Sequence, residues 1–289
     1  MSKLSLEPAP KPEADIRAEQ AAAMITTLIE DSIKNAPRSL QKRIGPSEIG
    51  TDCDHCLAAK LAGWETVEPE IAWLPFIGTC VHEHYERLFT ELNTIEERNT
   101  GTPAFLTERT VTVGQLDGVD ITGSTDLYMP DQAGFAEQGM TVDWKIVGKT
   151  TLDEAKRLRR PSQRYIVQAM LYARGWNNAG YPTSHVSVYF QPRNAMSLRR
   201  DGFFWIAPYD ERIALDALDR AQTILNTLHA LEAISLEARD NWISSQPRAS
   251  HCWDCPKYPD WQPRQPDGRA DLDTLFSVAP ATTQHNTER

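Results

Sequence analysis

No run of eighteen apolar residues occurs in the 289-residue chain, so the sequence offers no helical membrane span. The opening residues, MSKLSLEPAPKPEAD, contain no apolar segment of the kind a secretion signal needs, and a cytoplasmic protein is expected. No GxxxxGK[ST] segment is present, which removes P-loop nucleotide hydrolysis and the helicase activities built on it. A bulk excess of basic residues is also missing. The 30 Lys and Arg stand against 40 Asp and Glu, for a net charge of −10, so a nucleic acid could be held only by a local basic groove. Cysteine is scarce, with five residues in all. A cytoplasmic setting disfavours structural disulfides, so these five need another role.

What is present centres on the stretch from Gly123 to Lys145. Asp126 ends a G-S-T-D segment, and Asp143 and Lys145 belong to V-D-W-K. Both acids lie in short apolar runs that predict strands, and Pro130, Asp131 and Gly134 supply turn chemistry between them. Side chains alternate along a strand, so Asp143 and Lys145 share one face and Trp144 takes the other. Two carboxylates and an ammonium then converge. Carboxylates are the hard ligands that Mg²⁺ or Mn²⁺ prefers, and a neighbouring lysine can orient water or offset charge on a phosphoryl oxygen. A solvated acidic hairpin with a chance D-x-K is the alternative reading of the same residues.

Around this stretch the pattern predicts an α/β chain. A helix is expected over Ile16–Ile29, another capped by Ser47, and a third within Pro69–Leu92. In the third, His82 and Glu86 are four residues apart and share a face, whereas Cys80 points elsewhere and is expected to be a buried thiol. Strands are expected at Phe105–Val113, Val119–Tyr128 and Met140–Val147, forming an antiparallel meander. Lys149, Lys156, Arg157, Arg159, Arg160 and Arg164 then make the strongest basic patch, placed where a phosphate backbone would pass the acidic strand. A helix over Ser162–Gly180 puts Gln168 and Tyr172 on one face, able to hydrogen-bond a phosphate or base edge, and Ile166 and Met170 on another. Strands at Ser184–Gln191 and Asp201–Ile206 and one long helix from Tyr209 to about Trp242 complete the core.

Four of the cysteines form two C-x2-C pairs, Cys53 with Cys56 and Cys252 with Cys255. Four thiolates suit a [4Fe–4S] cluster or a zinc ion, either of which would staple the C-terminal tail to the helix before the core. His55 is read as a surface polar residue rather than a ligand. Residues 1–12 are read as a loose tail, Lys42 and Arg43 as part of a connector, and residues 261–289 as polar and partly disordered.

The ordered set Gly78-His82-Glu86, Gly123-Asp126, Asp143-Trp144-Lys145 and Gln168-Tyr172 resembles the RecB-like nucleases of the PD-(D/E)xK superfamily. The flanking cysteines resemble the iron–sulfur members, including CRISPR-associated RecB-like exonucleases. The resemblance covers about Ser47 to Cys255. It implies a restriction-endonuclease-like core, a mixed central sheet flanked by helices, with a helical N-terminal region and a cysteine-stapled C-terminal segment. The expected division is residues 1–45, 46–256 and 257–289. His82, Asp126, Asp143 and the Trp144 carbonyl would bind the catalytic ion or ions, with Glu86 assisting. Lys145 would position the attacking water. Gln168 and Tyr172 would meet DNA near the scissile phosphate, and Lys149, Lys156, Arg157, Arg160 and Arg164 would hold its backbone. The resemblance favours a [4Fe–4S] cluster on Cys53, Cys56, Cys252 and Cys255, although the two-and-two split of cysteines departs from the usual one-and-three and raises the standing of Zn²⁺. The implied activity is a free-standing, metal-dependent DNA exonuclease serving phage recombination or processing in the host cytoplasm. A recombinase or single-strand-binding protein is the partner such a role would bring, and no oligomeric state follows. Two rival readings are a DNA-binding module without cleavage and a zinc-stapled structural subunit of a repair or packaging complex.

Overall fold

The computed structural model describes residues 13–35, 44–67, 73–101, 103–130, 139–250 and 252–261. The expected tail at 1–12, the Lys42-Arg43 connector, Pro69, the turn residues Asp131 and Gly134 and all of the 261–289 segment except Trp261 lie outside them.

Helix α1 (Glu13–Lys34) is exposed along most of its length and buries Ile33. A single turn, α2 (Pro46–Ile49), and helix α3 (Asp54–Leu61) follow, and then the 28-residue helix α4 (Trp73–Thr100). Strands β1 (Leu106–Leu116) and β2 (Val119–Met129) form a hairpin. Its two-residue turn, Asp117-Gly118, has positive φ at both positions, the backbone that matches the twist of paired strands. β2 runs antiparallel to β3 (Gly139–Val147), as the meander predicts. Helices α5 (Lys149–Leu158) and α6 (Gln163–Asn178) then cross over to β4 (Thr183–Pro192), which lies parallel to β3. A short turn of helix α7 (Leu198–Asp201) leads to the antiparallel edge strand β5 (Phe203–Pro208). The result is a mixed five-stranded sheet in the order β1-β2-β3-β4-β5, flanked by helices.

The main core lies between the sheet and α6, whose buried face carries Val167, Met170, Leu171 and Trp176. Helix α8 (Glu211–Glu232) backs α6, and α9 (Leu236–Ser245) packs on α8. The opposite face of the sheet holds a smaller aromatic cluster. There Trp144 stacks on Phe89 at 5.8 Å and meets Tyr85 edge-on at 5.4 Å, which seats α4 on β3.

Several expectations change. Ser47 does not cap α2. Gly45 does, and its N–H is held by the Glu48 carboxylate at 2.8 Å, because Pro46 fits the first helical position, where its missing N–H costs nothing. Asp201 belongs to a helical turn, and β5 starts two residues later. The long C-terminal helix is broken at Ala233–Ser235, where the Ser235 hydroxyl accepts the Ala238 N–H and starts α9. Cys80 is exposed, since α4 is covered by the sheet along only one stripe. His55 is fully buried, enclosed by the residues of the cysteine site.

Candidate active site

The chemistry gathers where β2 and β3 part. These strands share only three register pairs, Met129 with Met140, Tyr128 with Thr141 and Leu127 with Val142. Beyond them the gap is filled by Asp126, whose Oδ2 accepts the Trp144 N–H at 2.6 Å. The N–H and C=O of a strand residue point the same way, so the Trp144 carbonyl also faces this gap. Strand separation thus leaves a strand N–H to be satisfied by a buried carboxylate.

His82 reaches over from α4, with Nδ1 3.0 Å from Asp126 Oδ1. The contact is close but misaligned, and Nδ1 has no hydrogen-bond partner despite being buried. Burial works to lower the His82 pKa, and the Asp126 carboxylate outweighs it, so the net shift is upward. Glu108 on β1 completes the group. Its neighbours in the hairpin register, Thr107 opposite Leu127 and Arg109 opposite Thr125, set it across from Asp126. Ligand atoms of His82, Glu108 and Asp126 all lie within 4.8 Å of one another. Glu108 holds φ +45°, a region that non-glycine residues rarely adopt and that collects at functional sites. Burial raises its pKa, and the Asp126 charge adds to that, while Ser124 Oγ donates to it at 2.9 Å.

Asp143 lies outside this trio, with Oδ2 2.6 Å from Lys145 Nζ. Burial pushes its pKa up to about 6, against the pull of Lys145. Burial also opposes the charge on Lys145, yet Asp143 and Asp126 keep its pKa above the ordinary lysine value. The ammonium stands 5.7 Å from the Tyr165 ring centroid. Gln168 and Tyr172 are both buried and share a 3.2 Å hydrogen bond. Burial raises the Tyr172 pKa, and Asp143 raises it further, so the phenol stays protonated behind the pair. This places Gln168 and Tyr172 beneath the site and not on an open rim.

Gly123 has a steric role. A Cβ there would lie 2.7 Å from Tyr172 Cε1 and 2.8 Å from Pro46 Cγ. Gly123→Ala is therefore expected to destabilise the fold by about 1–3 kcal/mol, the usual cost of overpacking. A thermal melt checks this, and an unchanged midpoint would mean that α2 and α6 give way freely. Gly78, one helical turn before His82, would meet nothing.

Glu86 is exposed and outside the trio, and Glu108 occupies the position expected of it. The basic patch is divided. Arg157, Arg159 and Arg160 are exposed at the end of α5. Lys149 pairs with Asp153, and Lys156 donates to the Asp201 carbonyl at 2.6 Å. Arg164 is engaged within the protein, donating to the Ser47 carbonyl at 3.0 Å and to Asp254 at 2.8 Å.

The residues fit a hard divalent cation. The trio offers two carboxylates and one imidazole, and the unsatisfied His82 Nδ1 faces a carboxylate oxygen at a distance an ion would bridge.

The second cluster joins the two cysteine pairs. Cys53 caps α3, Cys56 lies in its first turn, and Cys255 starts a 3-10 turn ending at Lys257. Sγ–Sγ distances are 3.5 Å for Cys53–Cys255, Cys56–Cys252 and Cys56–Cys255. Hydrogen bonds from Cys252 and Cys56 hold the Cys53 thiol well below its ordinary pKa, and Cys252 and Cys53 push Cys56 up. So close a set cannot ionise together without a cation.

No protein-family model and no curated protein matches the chain. Among solved structures it is similar to an alkaline exonuclease from Laribacter hongkongensis, at 12% identity over 70% of this chain and 95% of that one, with a TM-score of 0.42. It is also similar to a phage-related exonuclease from Haemophilus somnus 129PT, at 14% identity over 56% and 72%, with a TM-score of 0.31.

Proposed function

We propose that the chain is a divalent-metal-dependent deoxyribonuclease, an exonuclease by the resemblance of its ordered motifs. One observation carries the reading: His82, Glu108 and Asp126 converge on one point beside the buried Asp143–Lys145 pair, where two strands part. Mg²⁺ or Mn²⁺ held by the trio, with the Trp144 carbonyl beside it, would polarise a phosphoryl oxygen and acidify a bound water. Asp143, paired with Lys145 beside the trio, would be a further ligand. Lys145 would donate to the water or to a non-bridging oxygen, and Asp143 and Asp126 keep it charged for that task. Tyr172 lies close enough to feel the charges of the pair, Gln168 donates to its hydroxyl at 3.2 Å, and the two would meet DNA near the scissile phosphate. A role in phage recombination or DNA processing, with a recombinase or single-strand-binding partner, rests on the motif resemblance alone.

The test is cleavage of end-labelled linear single- and double-stranded DNA with Mg²⁺ or Mn²⁺, beside a closed circular control. Loss of label from linear DNA only, abolished by a chelator, is expected. Equal attack on circles would make the protein an endonuclease, and no cleavage with either ion would remove the enzymatic reading.

Arg157 and Arg160 are the exposed cations proposed to hold the backbone, with the start of α5 four residues beyond Lys145. Arg157→Gln with Arg160→Gln should weaken binding of unrelated DNA sequences alike and flatten the salt dependence by about 2 in log–log slope. A slope equal to the parent's would make the patch a solvated face.

A further inference from the structure

We propose that Cys53, Cys56, Cys252 and Cys255 hold one tetrahedral zinc ion and not the [4Fe–4S] cluster that the motif resemblance favours. The argument is geometric. Three Sγ–Sγ separations are 3.5 Å, and all four sulfurs lie within 4.8 Å of one another. Four thiolates bound to one zinc at about 2.3 Å stand about 3.8 Å apart along the tetrahedron's edges. A cubane is gripped differently. Each thiolate binds a separate iron corner and points away from a centre already filled by irons and sulfides. Its four cysteine sulfurs must therefore surround the whole cluster, and four sulfurs this close enclose room for a single ion.

The surroundings agree. Cys53 and Cys255 are sealed from solvent, and His55, Trp64 and Tyr258 close the site by edge-on ring contacts at 5.6–6.3 Å between centroids. His55 Nδ1 lies 3.8 Å from Cys56 Sγ, and Arg248 lies 3.3 Å from that same nitrogen. A zinc tetrathiolate is a net anion, and the Arg248 guanidinium sets positive charge against it. Asp260 fixes the arrangement, accepting from Arg248 at 2.7 Å and contacting His55 Nε2 at 3.0 Å. Both halves of the site are C-x2-C knuckles, the spacing with which zinc sites are built.

This inference is independent of the nuclease reading, and its test does not use activity. The full-length protein is purified anaerobically, without added metal, and analysed for zinc, iron and acid-labile sulfide alongside its visible spectrum. About one zinc per chain, negligible iron and a colourless solution are expected. Exchange with Co²⁺ should then give the intense visible bands of a tetrahedral tetrathiolate, and titration with a mercurial thiol reagent should release the ion as the four cluster thiols react, separately from the exposed Cys80. Cys80→Ser should lower the thiol count by one and leave the metal content and the Co²⁺ spectrum unchanged. Cysteine variants of the cluster can fail to fold, which is why the parent protein carries the test. About four irons and four sulfides per chain, or all five thiols free with no bound metal, would overturn the proposal.

Discussion

Asp143→Asn is expected to lower DNA cleavage by on the order of 10³-fold, and also to lose stability. Asparagine keeps the shape of the side chain but cannot balance Lys145, which sits 2.6 Å away in a largely buried position. A buried charge stripped of its partner costs about 3–5 kcal/mol at most, less here because the ammonium keeps some exposure and Asp126 remains nearby. The double replacement Asp143→Asn with Lys145→Met removes both charges together. It should recover much of the stability and none of the cleavage. Chemical denaturation of the parent, the single and the double variant, beside turnover at matched concentration, separates the two effects. Near-normal turnover in Asp143→Asn would sink the assignment of the site.

Glu108→Gln should produce a crossed result. Glu108 and Asp126 are carboxylates from adjacent strands brought together beside His82, and Glu108 additionally sits at φ +45°. Removing one charge should raise the melting temperature measured in chelator, since burial and the Asp126 charge both work against an ionised Glu108. The glutamine can still accept from Ser124. Added Mg²⁺ or Mn²⁺ should then stabilise the parent by mass action and the variant far less, with ion affinity weaker by about tenfold or more. Cleavage should fall in step. If the variant gains as much stability from the ion as the parent does, Glu108 is not a ligand.

The contrast between these two residues shows what the sequence could convey. Asp143 and Lys145 were legible because strand alternation alone puts them on one face, and Gln168 with Tyr172 because i,i+4 spacing on a helix does the same. Glu108 was not legible. Its place opposite Asp126 depends on hairpin register, set by a turn several residues away, and its backbone conformation leaves no compositional trace. Glu86 seemed the better candidate because it shares a face with His82, but one more turn of α4 carries it past the gap into solvent. The antiparallel run β1-β2-β3 was readable from the three successive strands. The break before Ser235 was hidden because the apolar pattern continues through Ile234 and Leu236, and only the serine cap shows where the helix restarts. Arg164 was read with the basic patch because charge is visible in sequence, whereas its partners, the Ser47 carbonyl and Asp254, are brought to it only by the fold.

The cysteine clamp also bears on how the protein is made. Cys56 and Cys252 are separated by 196 positions along the chain. At about 5–20 residues per second, a ribosome leaves the first pair of thiols waiting roughly 10–40 s for the second. All the residues of the candidate active site have emerged by then. Throughout that interval α3 has neither its tail partner nor the contacts that seal His55. A nascent chain can thus display the side chains of its candidate site well before the second cysteine pair arrives to close the knuckle.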